Sequence, residues 1–178
     1  MRKTLSLAVL VCAGLVMAWR LGYSAADPPI APEFPKEAKW LQSRPIRMSL
    51  LRGQVVLVHF WTRACSNCQA NYPVYKRWQE QHAGKPLKII GVHTPEFEYE
   101  ADPAGVRETL EKHGLTYAVV IDNDKQVWKA WQNEYWPCIY VVDKRGRVRY
   151  RWDGELHLDT AEGRQFALHI DELLAENG

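Results

Sequence analysis

The chain has 178 residues, 47% of them apolar, and carries 23 Lys and Arg against 21 Asp and Glu for a net charge of +2. That length fits one globular domain plus a short extra segment, and so even a charge balance gives no case for a nucleic-acid binder. Of its four cysteines only Cys65 and Cys68 lie close together, which is not the framework of a disulfide-stapled scaffold, and a domain of this size builds its own core.

The extra segment is N-terminal. Met1-Arg2-Lys3 is a basic start, Leu5 to Trp19 is uncharged and mostly apolar, and Ser24-Ala25-Ala26 offers small residues where a signal peptidase would cut. The run is short for a membrane span, so 1–26 reads as an export signal cleaved after Ala26 or nearby. Arg20, directly behind the apolar run, keeps an uncleaved membrane anchor as the alternative. Cys12 follows Val11, not the small residue a lipoprotein signal requires, and reads as a passenger.

Residues 27–43 hold Pro28, Pro29, Pro32 and Pro35 and are expected to form an extended arm, a linker or an edge segment. Lys39–Leu41 and Ile46–Leu51 read as short strands or a hairpin, with Arg52-Gly53 turning the chain. Gln54–Trp61 is β-branched and aromatic almost throughout, the signature of a strand buried on both faces and hence a central one. Cys65-Ser66-Asn67-Cys68 follows at once. Beyond it Tyr72, Tyr75 and Trp78 keep helical spacing, with Pro73 predicting a kink or a displaced first turn.

Leu87–His93 is the next buried strand, and Glu96–Pro103, acidic and aromatic, reads as a loop. Ala104–His113 reads as a helix stopped by Gly114. Tyr117–Ile121 and Val127–Trp131 read as a short strand and a short helix. Ile139–Asp143 and Val148–Trp152 form an antiparallel hairpin whose basic turn, Lys144–Arg147, should be solvated. Asp159–Glu176 is a final helix with Phe166, Ile170 and Leu173 on one face. This order gives an α/β protein with helices on both faces of a sheet.

The cysteine pair carries the chemistry. At a strand-to-helix junction the first helical turn presents free N–H groups and the positive dipole end, which favour a thiolate. A cysteine so placed can have its pKa lowered from ~8.5 to ~3.5–7.5, making Cys65 the expected nucleophile. Cys68, almost one turn on, is placed to resolve a mixed disulfide on Cys65. A zinc site would need a second pair of ligands, and covalent haem would need His after Cys68, where Gln69 stands.

Phe60-Trp61-x-x-x-Cys65-x-x-Cys68 with Pro73 beyond resembles the active-site signature of thioredoxin-fold proteins, particularly exported TlpA-like redoxins. Ile89–Phe97 and Tyr135-Trp136-Pro137 are similar to the thioredoxin-like domain of DipZ-type membrane electron-transfer proteins. The resemblance implies a thioredoxin-like fold over 44–178, with a central mixed sheet, an N-terminal extension and a redoxin-type βα insertion at 117–131. It implies a thiol–disulfide oxidoreductase at the periplasmic or extracytoplasmic face of a membrane. Its expected partners are protein disulfide substrates and a membrane electron donor of the disulfide-reductase type. A redox disulfide between Cys65 and Cys68, a reductive role, a cis Trp136–Pro137 bond and substrate contacts at Trp61, Trp136 and Pro137 follow from the same resemblance. No organic cofactor or metal is expected, since the electrons reside on the cysteines.

Three further residues stand beside that pattern. His59 occupies the place of a buried aspartate that moves a proton for the resolving cysteine, so it is either a proton-transfer residue or a core histidine. Cys138 follows Pro137 and reads as a buried, inert thiol, with a third redox thiol as the sharper alternative. Thr62-x-x-Cys65 resembles part of the peroxidatic motif of peroxiredoxins, with Val58 where that motif begins with proline. A thiol peroxidase is thus one rival and a dithiol copper chaperone another.

Overall fold

The computed structural model describes residues 27–177, so the expected leader at 1–26, with Cys12, lies outside the described residues. Its organising strand is β2 (Val55–Trp61), buried at every position. β3 (Leu87–His93) pairs with β2 in parallel and β5 (Cys138–Val142) pairs with it antiparallel. With β1 (Lys39–Leu41), β4 (Ala118–Ile121) and β6 (Val148–Asp153) they form a six-stranded mixed sheet in the order β1-β4-β3-β2-β5-β6.

Side chains alternate across a strand, so β2 feeds two cores. Leu57 and Trp61 point into a layer shared with Tyr72, Tyr75 and Trp78 of α2 (Tyr72–Gln81), Val106 and Leu110 of α3 (Pro103–His113), and Phe166 and Ile170 of α5 (Ala161–Ala175). Val56, Val58 and Phe60 point to the other side. There they meet Val127 of α4 (Gln126–Ala130), Trp131, Ala31 and Phe34 from the N-terminal arm, and Met48 just beyond it.

The arm is therefore part of the core and no linker. Ile30 bridges antiparallel to Arg147, and Phe34 sets its ring edge-on to Trp40 at 5.1 Å. The second strand expected at Ile46–Leu51 is instead a single 3-10 turn, Met48–Leu51. The cause is Glu33, whose carboxylate accepts the N–H groups of Met48 and Ser49 at 2.8 Å each and holds them in a turn. The basic hairpin turn is also less solvated than expected. Asp143 accepts the N–H groups of Arg145 and Arg147, and Lys144 reaches the carbonyls of Leu174 and Glu176 at the end of α5. Pro73 divides the first helix into α1 (Ser66–Ala70) and α2, with Asn71 at the joint. No helix among the described residues is long and apolar enough to cross a membrane.

Candidate active site

β2 ends in the site. The loop Thr62–Ala64 leads from its last residue to Cys65, which is the N-cap of α1 and whose Sγ accepts the Cys68 N–H at 3.1 Å. Cys65 and Cys68 are joined in a disulfide with Cα atoms 5.2 Å apart. The pair is asymmetric: Cys65 is half-buried, whereas Cys68 is 1% exposed. Only the first sulfur can be reached from solvent. A substrate must meet Cys65, and Cys68 can attack only from within.

The opposite wall comes from the approach to β5. Phe60 faces Cys138 in the β2–β5 register, and extending that register sets Pro137 beside Trp61, at the start of the cysteine loop. The Trp136–Pro137 peptide bond is cis. Trp136 is half-buried and packs on Trp128 at 4.2 Å, with the Lys125 ammonium 5.6 Å from its ring centre. Cys65 and Trp136 border the same core layer. Phe97 and Tyr99, stacked 5.7 Å apart, and Tyr135 are exposed aromatics on loops leading from β3 and into β5.

Trp61 corrects an expectation. It has no exposed surface and is boxed edge-on between Tyr72 at 5.8 Å and His93 at 5.0 Å, so it cannot touch a substrate. Its position in β2 has the parity of Leu57, which points it under the helices. His59 shares that parity and stacks on Tyr75 at 4.1 Å with Tyr117 edge-on at 5.0 Å. Neither ring nitrogen has a hydrogen-bond partner. Burial lowers its pKa to about 3, so the ring is a neutral, packed aromatic and a poor proton acceptor. His93 is likewise buried, and burial lowers it to about 4 against an opposing pull from Glu100. Cys138 belongs to the other core layer, fully buried, and burial drives its thiol far above the ordinary range. Among the described residues no three His, Cys, Asp or Glu side chains gather as a metal ligand set.

A profile of the AhpC/TSA family matches residues 30–151. The chain belongs to the AhpC/TSA family. This AhpC/TSA chain is 30% identical to the thiol-disulfide oxidoreductase YkuV of Bacillus subtilis over 145 residues, covering 82% of this chain and 94% of that protein. It is 37% identical over 128 residues to the protein DipZ of Mycobacterium bovis, covering 70% of this chain but 18% of DipZ, and so spans under a fifth of that relative. Its fold is thioredoxin-like. The solution structure of a thioredoxin-like protein in the oxidized form superposes with a TM-score of 0.70 at 27% identity, covering 85% of this chain and 98% of that one. A thiol-disulfide isomerase from Corynebacterium glutamicum also superposes at 0.70, with 22% identity and coverage of 83% and 98%, a likeness of fold alone.

Two buried members of the site in this AhpC/TSA chain, Glu100 and Asn71, were not singled out by the residue pattern. Thr62 donates its hydroxyl to the carboxylate of Glu100, which is fully buried. That hydroxyl is engaged inward and is not presented to a molecule at Cys65. Asn71, also fully buried, ties the helix joint behind the cysteines to the loop after β6. Its place two residues before Pro73 marks a helix N-cap, but its side chain caps nothing there and reaches across to the loop after β6.

Proposed function

We propose that the protein is an exported thiol–disulfide oxidoreductase that reduces disulfides in protein substrates, with Cys65 as nucleophile and Cys68 as resolving thiol. The observation that carries this reading is the asymmetry of the pair, an accessible Cys65 at a helix N-cap and an enclosed Cys68 one turn behind it. In the reduced protein the Cys65 thiolate attacks one sulfur of a substrate disulfide. A Cys65–substrate bond forms, the substrate S–S bond breaks, and the other substrate sulfur leaves as a thiolate that takes up a proton. Cys68 then loses its proton and attacks the Cys65 sulfur, forming the Cys65–Cys68 disulfide and releasing the second substrate thiol. Two electrons have moved from the dithiol to the substrate, and a dithiol donor restores them by the reverse exchange.

Trp136, half-buried, forms the substrate-contact wall in this reading, and Pro137, itself buried, shapes the backbone there without offering contact surface. An extended substrate segment laid beside Trp136 would pair with its backbone and bring a disulfide to Cys65. Export rests on the basic start, the apolar run and the small residues at Ser24-Ala25-Ala26. A membrane-embedded dithiol protein is the donor that suits such a location.

The deciding experiment equilibrates the protein with glutathione buffers and quantifies the Cys65–Cys68 disulfide. A potential near the ~−270 mV of thioredoxin supports the reductive role, and one near the ~−120 mV of a strong oxidant reverses it. A pair that never exchanges with glutathione overturns the redox reading.

A further inference from the structure

Glu100 is fully buried, yet its carboxylate gathers two separate segments of the chain. Oε1 accepts the Thr62 hydroxyl and the Ala64 N–H, the latter at 2.9 Å. Oε2 accepts the N–H groups of Glu96 at 3.0 Å and Phe97 at 2.9 Å. Thr62 in turn accepts the Cys65 N–H on its carbonyl at 3.3 Å. One oxygen therefore holds the backbone immediately ahead of the nucleophile, and the other holds the loop that presents Phe97 and Tyr99. Arg63 closes the seam from outside, donating to the Tyr99 carbonyl with its guanidinium 5.4 Å from the Tyr99 ring centre.

The carboxylate is charged at neutral pH. Burial alone would raise its pKa, but the hydrogen bonds from Thr62, Phe97, Ala64 and Glu96 outweigh burial and lower it. The titratable neighbours that face it are Arg63 from the cysteine loop and His93 from β3, the latter neutral. A buried carboxylate this well satisfied is a rigid fixture, and it binds the backbone N–H of Ala64, the residue directly before Cys65.

We propose that Glu100 is the positioning residue of the redox pair: its carboxylate fixes the Cys65 backbone against the 96–100 loop, and its fixed negative charge opposes the Cys65 thiolate. The proposal rests on the reading of Cys65 as nucleophile. Disfavouring the thiolate weakens the dithiol relative to the disulfide, which pulls the couple toward the reducing side. A helix N-cap pulls the other way, so the reactivity of Cys65 is set by the opposition of the two.

The test titrates the Cys65 thiolate by ultraviolet absorbance in the Cys68→Ser background, comparing the otherwise wild-type chain with Glu100→Gln and Thr62→Val. Glu100→Gln removes the charge, so the Cys65 pKa falls and the thiolate fraction below it rises about tenfold. Thr62→Val keeps the charge but removes one of the dipoles that offset it, so the pKa rises. Loss of packing alone would lower the melting temperature without producing shifts of opposite sign. Folded variants whose Cys65 pKa is unchanged, or moves the same way in both, overturn the proposal. Should Glu100→Gln fail to fold, the upward shift in Thr62→Val decides, and its absence overturns the proposal. A wild-type pair that does not exchange with glutathione defeats the functional reading and this inference together, whereas normal exchange with flat variants defeats this inference only.

Discussion

The main-chain N–H of Leu156 donates to Asn71 Oδ1 at 2.7 Å across 85 residues of sequence, while Asn71 Nδ2 donates back to the Gly154 carbonyl at 3.2 Å. This exchange pins the joint between α1 and α2 to the loop that follows β6. Replacing Asn71 by Leu would orphan a buried N–H and weaken a carbonyl's pairing. At ~1–3 kcal/mol for an orphaned buried group, the variant should lose about 1–3 kcal/mol in chemical denaturation. A loss below ~0.5 kcal/mol would mean that water substitutes for the side chain.

Gly91 in β3 should resist even alanine. A Cβ there would stand 2.9 Å from Trp61 Nε1 and 3.1 Å from both His59 Nε2 and Val119 Cγ2. An alanine in a strand interior ordinarily gains ~0.5–1 kcal/mol over glycine, but overpacking costs ~1–3 kcal/mol. Gly91→Ala is therefore expected to destabilise, and a melting temperature equal to or above wild type would show that the Trp61 and His59 rings yield freely.

Acid should unfold the protein through its buried histidines. Burial holds His59 at about 3 and His93 at about 4, whereas an unfolded histidine titrates near ~6.5. Below that value the unfolded chain takes up protons that the folded chain refuses, so stability falls as pH falls toward the folded values. Between about pH 6 and about pH 5, each histidine should remove up to ~1.4 kcal/mol per pH unit. His59→Phe keeps the stacking on Tyr75 and should flatten part of that slope. It should leave the rate of Cys68 attack unchanged. A slower resolving step in this variant would assign His59 to proton transfer after all.

Cys138 should be silent in the folded, reduced protein. Iodoacetamide is expected to alkylate Cys65 first, with Cys138 modified only after denaturation, because the thiol is fully buried and strongly protonated. Peptide mapping of the native labelling reaction reads this directly, and native modification of Cys138 would reopen the third-thiol reading.

Much of this architecture is legible in the residues alone, and what is not has physical reasons. Val55–Trp61 declares itself as a central strand because nothing polar but His59 interrupts it, and Pro73 declares the helix break. The same unbroken run hides which face each residue takes. Without alternation, nothing marks Trp61 as pointing beneath the helices and away from the substrate side. Glu100 is invisible for a different reason: its partners are backbone N–H groups and a threonine 38 residues away, and such pairing leaves no periodicity. The turn at Met48–Leu51 depends in the same way on Glu33, 15 residues upstream of Met48.

The proline-rich arm has a consequence for handling and turnover of the protein. Ala31 and Phe34 roof the sheet face opposite the thiols, with Phe34 against Trp40 and Trp131. A version trimmed to residues 44–178 would uncover Trp131, on which Phe34 stacks, and the side of Tyr140 that the arm lies beside, an apolar patch of the kind that drives aggregation. A protease that clips after Pro35 would strip this cover without approaching either cysteine. Solubility of the domain is thus tied to the integrity of a segment that lies on the far side of the sheet from its thiols.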